Sequence, residues 1–139
     1  TGTVAGRIDI AARVTSGGSD LTPDPAPAAS VTINAAAPVI RRVELQRSTD
    51  GFALVITGFT STRELTEVNV RFAGNVQPAE VTTNVAAIFT AYFNNAANDQ
   101  FGGQFELRFP FTGQTTGITS ATVTLVNSQG RSNAVTVNF

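Results

Sequence analysis

The side chains in this sequence that could do chemistry are carboxylates, and they fall into two sets. Asp20 and Asp24 flank a proline-rich stretch, and Asp50 lies in the run Ser48-Thr49-Asp50-Gly51. Calcium at Asp20 and Asp24 would require clustered carboxylates with carbonyl partners. No Asp-x-Asp spacing occurs. The simpler reading is that these residues shape turns, where an Asp side chain accepts from nearby backbone N–H groups. The second set is Glu64 and Glu67, next to Arg63. Two carboxylates make a glycosidase acid/base pair only if the fold brings both to a cleft. On spacing alone they read as a solvated loop with a salt bridge.

Other catalytic chemistries lack their residues. The chain has no Cys and no His, and all nine of its cations are Arg. Thiolate nucleophiles, Cys-based zinc sites, His general bases, Ser-His-Asp triads and Schiff-base lysines are therefore excluded. The expectation is a non-enzymatic protein with no cofactor and no catalytic or metal-ligating residue. Nine cations against ten anions leave a formal charge of -1. The Arg residues are dispersed from Arg7 to Arg131, and only Arg41 and Arg42 adjoin. That is not the basic stripe of a nucleic-acid binder. No apolar run approaches the roughly 18 residues of a membrane span. The absence of an initiator Met and of a signal peptide suggests a start inside a longer precursor.

These residues must be positioned by strands. Apolar Val4, Ile8, Ile10, Ala12 and Val14 share one parity opposite Arg7, Asp9 and Arg13, which predicts a half-buried strand with Gly6 as a possible bulge. Ser16-Gly17-Gly18-Ser19-Asp20 is a turn. Pro23, Pro25 and Pro27 make the next stretch extended and exclude it from a central strand. Alternation resumes from Ser30 to Asn34. Further strands are predicted at Val39 to Arg47, at Phe52, Leu54 and Ile56, at Val68, Val70 and Phe72, and from Gln104 to Phe111. A closing hairpin turns at Ser128-Gln129-Gly130. About nine short strands with regular turns define an all-β class, an immunoglobulin-like antiparallel β-sandwich with an N-terminal β-hairpin extension.

One segment departs from alternation. Val85, Ile88, Phe89, Tyr92 and Phe93 follow the spacing of one helical face, with Asn84 as its cap and Asn94-Asn95 as its end. A single short helix across one end of the sandwich is expected. Its aromatics are either a hydrophobic lid over the core or, around Tyr92 and Phe93, a ligand platform for polysaccharide within an 84–103 insertion. Ten Phe, one Tyr and no Trp favour core over sugar stacking, because exposed platforms use aromatics with polar tips.

The two ends of the chain echo one another. Val31-Thr32-Ile33-Asn34 matches Val135-Thr136-Val137-Asn138, 104 positions later, and Gly6 to Val14 lies loosely beside Ser120 to Val126. This divides the chain into 1–37, a strand or hairpin segment with a Pro-rich linker, and 38–139, a sandwich. An isolated hairpin is marginal in water. Residues 1–34 must therefore pack on the sandwich, pair with another chain, or belong to a preceding module. Ile8, Ile10, Val31 and Ile33 are the expected contacts with a neighbouring module or identical subunit.

The runs Ala37-Pro38-Val39-Ile40-Arg41-Arg42-Val43 and Gly51-Phe52-Ala53-Leu54-Val55-Ile56-Thr57-Gly58-Phe59 resemble the opening of IPT/TIG-type immunoglobulin-like domains. With Ser61 to Thr66, Phe101 to Phe105 and Val123 to Gly130, the pattern is similar to C-terminal modules of large secreted bacterial tandem-repeat proteins. The resemblance implies an extracellular or cell-surface structural or adhesive unit, with strand donation into a fibre as one form of assembly. No catalytic residue carries over.

Overall fold

A computed structural model describes residues 4–113 and 115–139. The described chain opens with β1 (Gly6–Ala11), the two-residue strands β2 (Thr15–Ser16) and β3 (Ser19–Asp20), and β4 (Ala28–Ile33). Next come β5 (Val39–Ser48), β6 (Gly51–Phe59), β7 (Glu67–Gly74), β8 (Glu80–Asn84), helix α1 (Ala86–Asn94) and a 3-10 turn (Ala96–Phe101). The chain closes with β9 (Gln104–Thr112), β10 (Ile118–Asn127), β11 (Gly130–Arg131) and β12 (Val135–Asn138). Every strand pairing is antiparallel.

Two sheets face each other. One runs β5-β6-β9, and the other runs β11-β10-β7-β8 with β12 also paired to β10. Alternation places Phe52, Leu54 and Ile56 of β6 against Val68, Val70 and Phe72 of β7 and Ala121, Val123 and Leu125 of β10, in one buried cluster. The register Val68↔Leu125, Val70↔Val123 and Phe72↔Ala121 aligns the apolar positions of β7 and β10. This is the immunoglobulin-like β-sandwich expected from the sequence. Ala53 and Val55, on the other face of β6, are also buried. As a central strand, β6 lies between Gln46 and Pro110 at Ala53, and between Glu44 and Arg108 at Val55.

Aromatic rings close both ends of the core. At the start of β6, Phe52 stacks on Phe111 at 4.8 Å and meets Phe139 edge-on at 4.8 Å. At its far end, Phe105 takes the edge of Phe89 at 5.2 Å. Gly58 makes that end possible, since a Cβ there would lie 2.4 Å from the Val39 carbonyl oxygen. That close approach explains why the Thr57-Gly58-Phe59 corner needs a glycine.

Several local expectations are corrected. The helix buries Val85, Phe89 and Phe93, a strip of i, i+4 and i+8, but leaves Ile88 61% exposed. So short a helix touches the core along one narrow strip. Asn84 Oδ1 accepts from the Ala86 N–H at 3.0 Å, but the cap position itself is Val85, whose side chain makes no cap bond. β8 carries a single apolar residue, Val81, and so gives no alternating signal as an edge strand. The first strand is shorter than expected and exposed at every position from Gly6 to Ala11, not half-buried. Among the described residues no second sheet covers it. Gly6 pairs regularly with Ile33 without a bulge. The register shifts lie instead between Ile40 and Arg42 and between Ile118 and Ser120.

Candidate functional site

The cross-strand pairs Gly6↔Ile33, Ile8↔Val31 and Ile10↔Ala29 put the four predicted contact residues on one face of the β1–β4 hairpin. Ile8 is 44%, Ile10 55% and Val31 51% exposed. Ile33, nearest the body, is half-buried. The opposite face carries Arg7, Asp9, Ser30 and Thr32, with Arg7 Nε donating to Asp9 Oδ1 at 2.7 Å. The hairpin is therefore amphipathic with its apolar face open. Fully burying one such side chain contributes roughly 1.5–3 kcal/mol. Residues 1–3 of the predicted linking segment lie outside the described residues.

The roots of the hairpin are tied to the sandwich. The Ala5 N–H donates to the Ser61 carbonyl at 2.7 Å, and the Ala36 N–H donates to Ser61 Oγ at 2.9 Å. Asn127 Nδ2 donates to the Ala36 carbonyl at 3.0 Å. Thr60, Ser61 and Asn127 are buried polar residues, which sequence patterning did not single out. Their signal was faint: Asn127 continues the inward parity of Ala121, Val123 and Leu125, where an apolar residue would be expected.

Tyr92 and Phe93 do not form a shared platform. Phe93 is 5% exposed and packs in the core, whereas Tyr92 is half-buried and donates its hydroxyl to the Gln104 carbonyl at 3.2 Å. Tyr92 lines an open groove of about 390 Å³ with Arg41, Phe101, Gln104 and Glu106. Arg41 is the extra residue of the bulge in β5, which aims it toward this groove.

The carboxylates are dispersed. Glu64 accepts from Ser128 Oγ at 2.6 Å, and Glu67 lies at the start of β7, opposite Asn84 and Val126. The expected salt bridge in this loop is made differently. Arg63, at φ 54°, reaches across to Asp99 Oδ1 at 2.8 Å and to the Phe93 carbonyl. Among the described residues no three acidic groups converge as a metal site.

Asp20 Oδ1 accepts from the Thr22 hydroxyl at 2.6 Å and the Thr22 N–H at 3.0 Å, while Oδ2 accepts from Arg13 Nε at 2.9 Å. These bonds, the Thr22 hydroxyl foremost and Arg13 least, hold its carboxyl below the ordinary 3.8. A lowered folded pKa stabilises the turn above 3.8, and that contribution is lost as pH falls through the folded value. Carboxyl NMR titration should give Asp20 a midpoint below 3.8, and Thr22→Ala should raise it. A midpoint at or above 3.8 in the unmodified chain would remove the turn contacts from solution.

No family model matches the chain, and no curated protein or solved structure is significantly similar to it.

Proposed function

We propose that this chain is a non-enzymatic structural or adhesive β-sandwich unit of a secreted or cell-surface protein, joined to its neighbour through the N-terminal hairpin. One observation carries the reading. Ile8, Ile10 and Val31 form an open apolar face on a hairpin anchored at both roots. An isolated apolar strand pair with free edges is an association surface. The low charged content of 14% also suits close side-by-side packing, because neighbours repel weakly. The resemblance to IPT/TIG-type modules of secreted bacterial proteins supports the extracellular assignment.

Removing residues 1–34 should leave a folded sandwich, because β5 to β12 contain the whole buried cluster. Circular dichroism should retain its β signal while association with the neighbour, either a preceding module added in trans or a second copy, disappears as read by mass in light scattering. Association undiminished by the deletion would overturn the proposal.

The groove beside Tyr92 favours a second reading, a saccharide-binding module. Two aromatic side chains, Tyr92 and Phe101, share it with Arg41, Gln104 and Glu106. Affinity electrophoresis against soluble polysaccharides separates the two readings. The structural reading expects no retardation. Retardation abolished by Tyr92→Ala with the melting curve unchanged would favour the saccharide site.

A further inference from the structure

The first hairpin and the closing strand pair share one pairing register. Ile8↔Val31 corresponds to Val123↔Val135, Arg7↔Thr32 to Thr122↔Thr136, and Gly6↔Ile33 to Ala121↔Val137. Residues of β1 map onto β10 at 115 positions, and those of β4 onto β12 at 104, so the first connection is eleven residues longer. That extra length holds the β2–β3 turn and the prolines. The faces correspond too. Gly6, Ile8 and Ile10 fall where Ala121, Val123 and Leu125 fill the core, and Arg7 and Asp9 fall where Thr122 and Thr124 face outward. The difference is cover: Ala121, Val123 and Leu125 are 0% exposed, whereas Ile8 is 44% and Ile10 55% exposed.

Resting on the linking role proposed above, we infer that β1 and β4 are the last two strands of a second sandwich, whose other strands are supplied by the polypeptide immediately preceding Thr1. The occupant of the open face is then a sheet like β5-β6-β9, with a strand like β7 pairing along the free edge of β1 as β7 itself pairs along β10. A second copy of this chain cannot fill that role. Its own β10 and β12 already occupy the position the hairpin would take. The short connection from Ile33 to Val39, held by Ser61 and Asn127, suits a covalent step from one sandwich to the next.

Hydrogen exchange tests this on two proteins, the 139-residue chain and the same chain extended upstream by about one module, on the order of 100 residues. The Ala12 N–H donates to the Pro27 carbonyl, so alternate amides of β1 down to Ile8 face β4, and those of Arg7 and Asp9 point to the free edge. The Arg7 and Asp9 amides should exchange freely in the shorter chain. In the extended protein they should slow by at least about a hundredfold while its mass stays monomeric, because a core strand pair opens only with its domain. Ile8→Asp should lower the melting temperature of the extended protein's first transition and leave the shorter chain's unchanged. Protection that rises in the shorter chain with concentration and doubled mass would overturn this inference and leave the linking role standing. Free exchange in both proteins at every concentration would overturn both.

Discussion

Phe89→Ala should lower the free energy of unfolding by about 3–5 kcal/mol, the cost of truncating a large ring in a well-packed site. Phe89 is 3% exposed, with its ring 5.2 Å from Phe105, 5.9 Å from Phe93 and 6.3 Å from Tyr92. A nine-residue helix has little stability of its own, so α1 is held by the strip Val85, Phe89 and Phe93. Removing the central ring leaves a cavity and loosens the helix together. Ile88→Ala, one position earlier at 61% exposure, should change stability by no more than about 0.5 kcal/mol. Urea denaturation of the two variants gives the comparison. A Phe89→Ala loss below about 1 kcal/mol would mean that the helix is an appendage rather than a lid over the core.

The contrast between Phe89 and Ile88 shows where sequence patterning works and where it stops. Period-two alternation located β6, β7, β9 and β10 because each has one face in the core, and the sandwich followed from them. Helical spacing located α1, but periodicity assigns a broad apolar arc. Only the opposing surface decides which part of that arc makes contact. β8 was invisible for the converse reason: Glu80, Thr82, Thr83 and Asn84 surround one valine, and the strand exists because the edge of β7 pairs with it. On the hairpin, alternation identified Ile8, Ile10, Val31 and Ile33 as one face. It could not say whether anything covers that face, since coverage depends on chain elsewhere. Arg63 was legible only as a charge beside two glutamates. Its partners, Asp99 and the Phe93 carbonyl, lie 30 or more positions away.

Asn127→Ala should cost about 2–4 kcal/mol, more than its three-atom truncation suggests, because it strands polar groups that water cannot easily reach. Asn127 is 4% exposed. Its Nδ2 faces the Ala36 carbonyl at 3.0 Å, Thr60 Oγ1 at 3.2 Å and Thr62 Oγ1 at 3.0 Å, and Oδ1 accepts from the Gln129 N–H at 2.9 Å. The Thr60 hydroxyl donates to the Glu64 carbonyl at 3.0 Å. The proton between Thr60 and Thr62, whose oxygens are 3.0 Å apart, therefore belongs to Thr62. With both hydroxyl protons committed, both oxygens are left as acceptors, and the two N–H groups of Asn127 Nδ2 are shared among them and the Ala36 carbonyl. Asn127→Asp should be worse than Ala, since a carboxylate presents acceptors to acceptors. Thr60→Val combined with Asn127→Leu should cost less than the two single changes added together, because removing both partners removes the unmet bond. The loss should also spread to the hairpin root, where faster exchange at the Ala36 amide would report the released linker. Strict additivity in the double variant would show that these side chains act separately and that the linker is held by packing alone.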